Sequence, residues 1–136
     1  MPNLLIERSI DIEEIVRSAL SVYFIAYTLP LPEKFETPSL LIRKVGGTEA
    51  NKIDTFDLTI DARANLEADA DELLRNAIGA LKEIARLQTT AIRFVEVNSS
   101  GSWGQDPVRP DLAMCTARIR VTAHQELTTI ARRKKI

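Results

Sequence analysis

An α+β two-layer sandwich is the fold class this sequence predicts: a mostly antiparallel sheet packed by two helices, in the order α-β-β-α-β-β. Three observations lead to it. Apolar residues recur at helical spacing over residues 11–27 and 66–88. They alternate with polar residues at strand spacing over 53–62 and 114–123. The 136 residues, 45% hydrophobic and only 5% aromatic, suffice for one aliphatic core.

The first helix is expected over 11–27, where Ile12, Ile15, Val16, Ala19, Leu20 and Tyr23 mark one face. Asp11 fits its N-cap, with Glu14 three residues on. Pro30 and Pro32 stop it, and residues 29–38 read as an extended linker. A short apolar run over 40–45 closes at Gly46-Gly47, and the run over 53–62 places Phe56, Leu58, Ile60 and Ala62 against Asp57, Thr59 and Asp61. Together they predict a β-hairpin with a somewhat long Gly-Gly loop and one wet face. The second helix is expected over 66–88 on a stripe of Leu66, Ala70, Leu73, Leu74, Ala77, Leu81, Ile84 and Ala85. Acid near its start and base near its end suit the helix dipole. Gly79, inside it, suggests a close approach of another backbone. Strands follow over 91–97 and 114–123, separated by a polar, Gly- and Pro-containing loop over 98–113. The whole reads as one domain, 1–136, with a flexible basic tail from about 125 and no internal repeat.

Composition excludes more than it assigns. With one Cys and one His, Cys115 has no disulfide partner and a monomer has no Cys/His zinc site. Nucleophilic catalysis would rest on His124 alone, and no spacing supplies its nucleophile or orienting group. Asp57 and Asp61 fall on the wet strand face, while helix-start charge accounts for Asp69, Asp71 and Glu72. Hence no catalytic residue, metal ligand or cofactor is expected, and the protein is read as no enzyme. The net charge of −1, from 18 basic and 19 acidic residues, argues against a whole-domain grip on nucleic acid. No basic start precedes an apolar region, so no secretory signal is expected. The longest apolar stretch, 18–31, is too short and polar to span a bilayer.

What remains are candidate contact residues. Trp103, between Gly101 and Gly104 on the long loop, is either a partner-binding anchor or a lid over the core edge. Cys115 is expected as a buried, inert thiol. Arg132, Arg133, Lys134 and Lys135 form a basic run that either contacts DNA phosphates or solubilises the tail.

Taken in order, these features carry a resemblance. They are an amphipathic first helix followed by Pro30 and Pro32, a strand ending Val45-Gly46-Gly47, and a strand alternating Asp and Thr from Asp54 to Asp61. A long Ala/Leu helix, a strand, a loop holding Asp106-Pro107 and Pro110, and a final alternating strand complete the series. The pattern resembles the tail terminator family of long-tailed phages, of the lambda minor tail protein U type, across most of the chain to about His124. The resemblance implies a virion structural protein that joins the head connector of a phage or prophage. It implies a homohexameric ring that caps the tail tube, completes the tail and lets DNA pass through its lumen. It would be made in the host cytoplasm and reside in the tail or neck, with no membrane partner. Gly46, Gly47, Trp103, Asp106, Pro107 and Pro110 are the expected subunit or partner contacts. The alternatives are another neck component, such as a head-completion or adaptor protein, and a small nucleic-acid-binding module.

Overall fold

In the computed structural model, which describes residues 2–50, 52–107 and 109–134, two helices pack on one face of a five-stranded sheet. In chain order the elements are β1 (Leu4–Arg8), α1 (Ile12–Ser21), β2 (Ala26–Thr28), β3 (Ser39–Glu49), β4 (Ile53–Ala64), α2 (Glu67–Leu87), β5 (Ile92–Gln105), β6 (Ala113–His124) and β7 (Glu126–Ile130). The sheet order is β2-β3-β4-β6-β5, antiparallel except for the parallel β2–β3 pair. This is the α+β class expected, with β1, β2 and β7 added.

The core forms where the two periodicities meet. Phe56, Leu58, Ile60 and Ala62 of β4 and Cys115, Ala117, Ile119 and Val121 of β6 form one cluster with Ala77 and Leu81 of α2, which packs on both strands, and with Val16 and Leu20 of α1, which packs on β2, β3 and α2. At the start of α1 the Asp11 carboxylate accepts the Glu14 N–H at 3.3 Å. The Glu14 side chain turns instead to Arg17 at 2.9 Å, so the cap is one-sided. Helix α2 runs within one residue of its expected ends; Gln88 closes it at a left-handed φ of 55°. A Cβ on Gly79 would meet nothing within 4 Å, so no backbone approaches it and that expectation is corrected.

Four boundaries also differ from expectation, each because pairing outweighs local pattern. Helix α1 ends at Ser21, not 27; Tyr23, the last residue of the expected apolar face, is exposed, and Ala26–Thr28 instead pairs with Leu40–Ile42. Gly46-Gly47 is not the hairpin turn: both lie inside β3, opposite Asp57 and Phe56, after a bulge between Lys44 and Gly46. The strands reverse instead between Ala50 and Ile53, where the Ala50 N–H donates to the Ile53 carbonyl at 3.1 Å. Residues 98–105 are not loop but the far half of β5, laddered on β6 through two further irregularities, which leaves 106–112 as the connection. Residues 126–130, expected in a flexible tail, are strand β7.

The face away from the helices is not simply wet. Thr59, Asp61 and Arg63 are buried there. Phe35 of the proline-rich linker and Leu112 of the β5–β6 connection are buried apart from the main core, as is Leu41. Phe35 lies 5.8 Å from the guanidinium carbons of both Arg63 and Arg109, so linker and connection meet on this face.

Candidate functional site

The expected contact residues fall into separate groups. Gly46 and Gly47 lie on the stretch of β3 that runs beyond its pairing with β2, which stops at Ile42. That stretch is an open sheet edge on its outer side, where the Lys44 N–H is taken by the Glu13 carboxylate at 3.2 Å. Gly47 has φ 148°, and a Cβ there would run into the Thr55 carbonyl, so the close β3–β4 approach needs glycine.

Trp103 lies on β5, the opposite edge strand, in register with Cys115. It is 46% exposed, and so does not close over the core as a lid. With Pro110 and the exposed Leu66 it lines a groove of about 480 Å³ between the start of α2 and the β5–β6 connection. Pro107 is exposed outside that groove. Asp106 is not a surface contact: it is 1% exposed and binds the buried Arg63 Nε at 2.5 Å, pinning the connection to β4. Gly46 and Trp103 are five positions apart in register along β6 (Arg120 against Cys115), roughly 17 Å at strand rise. They are also three strands apart across the sheet. Arg132, Arg133 and Lys134 are exposed beyond β7; Lys135 lies outside the described residues.

The aspartates of β4 are spoken for individually. Asp61 accepts Arg43 at 3.2 Å and the Thr116 hydroxyl at 2.8 Å, and Asp57 accepts Arg120 at 3.0 Å. Asp54, at the other end of β4, accepts Ser9 Oγ at 2.5 Å, Gln125 Nε2 at 2.9 Å and the Ala50 N–H at 3.3 Å. Burial works against its ionisation, but the donors from Ser9, Gln125 and Ala50 outweigh it and hold the carboxyl below the ordinary aspartate range. Among the described residues no three His, Cys, Asp or Glu side chains are placed to hold a metal ion. No described helix is long and apolar enough to cross a membrane. Burial, then the nearby Asp71 carboxylate, pushes the Cys115 thiol up, against a weaker pull from a Gly101 backbone hydrogen bond. A row across the polar face aligns Arg43, Thr59 and Arg118. Arg43 Nε and Thr59 Oγ1 are buried there without a hydrogen-bond partner among the described residues.

Sequence reasoning missed one surface. Strands β1 and β7 pair antiparallel over five residues each into a two-stranded ribbon separate from the main sheet. It is rooted at the β3–β4 turn, where the single Ser9 hydroxyl proton is shared between Asp54 and Glu49, 2.6 Å away, and the Gln125 N–H donates to the Lys52 carbonyl at 3.0 Å. Leu4, Leu5, Leu127 and Ile130 are all exposed on it. The signal was a short apolar run, Leu4-Leu5-Ile6, and a distant Leu127…Ile130, each too brief to show a period. Comparison with known proteins finds no family model and no curated protein that matches the chain.

Proposed function

We propose that this chain is a self-assembling structural subunit of a phage or prophage tail or neck. In this reading it forms a terminator-like homohexameric ring that caps the tail tube and meets the head connector. One observation carries the proposal: the exposed features of the subunit sit on opposite sides. The open β3 edge with Gly46 and Gly47 is on one side, and the β5 edge with exposed Trp103 is on the other. Two different surfaces on one subunit are what a head-to-tail contact uses, and such contacts close into rings when the rotation permits. The resemblance in element order supports the choice of phage tail among ring-forming roles. DNA in the lumen would meet the exposed Arg132, Arg133 and Lys134, as part of the same proposal.

The test is mass in solution and electron imaging, alone and with tail tubes. The expected result is a ring that binds tube ends and stops their growth. A species that stays monomeric at every concentration and ignores tube ends overturns the proposal. Tubes of normal length after deletion of the gene would instead favour another neck component.

A further inference from the structure

The β1–β7 ribbon is unfinished as it stands. Two strands alone are marginal in water, and three strands or a packed face are needed for independent stability. This pair packs substantially on no other element. The register puts Leu5, Glu7, Leu127 and Thr129 on one face, and Leu4, Ile6, Arg8, Glu126, Thr128 and Ile130 on the other. The second face is tied by the Arg8–Glu126 ion pair at 2.8 Å. The first holds two leucines, 66% and 67% exposed, beside Glu7, which makes no ion pair among the described residues.

A surface of matching chemistry exists elsewhere on the same chain. Between α2 and the outer edge of β5 runs a groove of about 460 Å³ lined by Lys82, Ala85, Arg86, Arg93, Phe94 and Val95. Ala85 and Val95 are buried at its base, while Phe94 is 59% exposed. Lys82 makes no ion pair among the described residues, and Arg93 spends its guanidinium on the Thr90 and Ile92 carbonyls. Arg86 is paired with Glu83, so among the described residues Lys82 supplies the unpaired positive charge beside a mostly apolar lining, the complement of a Leu5–Leu127 face carrying one free carboxylate. Among the described residues of one chain neither surface is covered.

We propose that the occupant of this groove is the β1–β7 ribbon of a second copy of the chain, with Leu5 and Leu127 against Phe94 and Val95 and Glu7 beside Lys82. Packing ribbon on ribbon would cover the leucines but bring two unpaired Glu7 carboxylates into one apolar contact and leave Phe94 bare. Ribbon to groove is a heterologous contact, so it deepens the self-assembly proposed above and rests on it.

The experiment uses the full chain. Chains carrying Leu127→Cys are mixed with chains carrying Phe94→Cys under mild oxidation; Cys115 is buried and does not compete. A crosslinked dimer in the mixture, with neither variant crosslinking alone, is expected. Glu7→Lys and Lys82→Glu should each weaken association at least tenfold, and the two together should restore it. All these positions are exposed, and unchanged thermal melts show that the variants fold. Crosslinking of Leu127→Cys by itself, or full assembly by Leu5→Glu/Leu127→Glu chains, overturns the ribbon contact while leaving ring assembly standing. An unmodified chain that never associates, together with no crosslink in the mixture of the two cysteine variants, overturns both.

Discussion

Asp106 is the residue whose role changes most once the chain is folded. Its carboxylate and the Arg63 guanidinium are both withdrawn from water, at 1% and 7% side-chain exposure, and their contact joins the β5–β6 connection to β4. Removing one member leaves the other's charge buried without its partner, so Asp106→Ala should cost about 3–5 kcal/mol in urea unfolding. A loss under 1 kcal/mol would mean the connection is not held by this pair. Asp54 is the second. Its folded carboxyl sits below the ordinary range, so its contribution is fully present above about pH 4 and fades as pH falls through the lower folded value. Asp54→Asn should therefore destabilise by about 1.5–3 kcal/mol near neutrality. The gap to the unmodified protein should narrow as pH is taken from 6 to 2; a pH-independent gap refutes the assignment. The surface pairs Glu14–Arg17 and Glu83–Arg86 carry no such expectation, being exposed.

At the level of elements, glycines separate propensity from packing. Gly79 sits in α2 with open space where a Cβ would go, so Gly79→Ala should stabilise by up to about 1 kcal/mol. Gly47 sits in β3 at φ 148° against the Thr55 carbonyl, so Gly47→Ala should destabilise by about 1–3 kcal/mol. Gly46→Ala, whose Cβ would meet the Asp57 carboxylate at an ordinary 3.7 Å, should change little. Urea midpoints for the three variants check this order. The elements most legible in the sequence were those with long, clean periods. Helix α2 and strands β4 and β6 were placed within two residues, because each has one face wholly in the core. The far half of β5 was illegible. Its Asn-Ser-Ser-Gly-Ser sequence has turn composition, and only the facing strand β6 supplies the ladder that holds it extended. Strand β2 hid in the first helix's period, and β1 and β7 are short strands that bury little.

For the whole molecule, the exposed apolar side chains are the feature that a monomer leaves unexplained. Trp103 with Leu66 at one groove, Phe94 at another and the ribbon leucines are separated over the surface. Trp103→Ala should leave subunit stability within about 1 kcal/mol, since Trp103 is half out of the fold, yet weaken assembly. Unfolding and sedimentation measured on one preparation separate the two effects; equal loss in both would make Trp103 a structural residue. The near-neutral charge of the chain is also uneven in space. Asp61 and Asp57 of β4 pair with Arg43 of β3 and Arg120 of β6 on the polar face, while Arg132, Arg133 and Lys134 stay exposed past β7.

By itself the sequence determined the α+β class, both helices, the pairing of β3 with β4, the strand β6 and the aliphatic core. Those depend on periodicity, which is local and repeats often enough to be read. Only the tertiary structure decided that Gly46-Gly47 lies in a strand, that Asp106 is buried and Trp103 exposed, and that the two ends of the chain pair into a ribbon. Each of these depends on a partner distant in sequence: Asp57 and Phe56 for the glycines, Arg63 for Asp106, Cys115 in register with Trp103, and residues 126–130 for residues 4–8. Pairing over such separations leaves no period in either segment, and it is set by which surfaces remain unsatisfied once the core has closed.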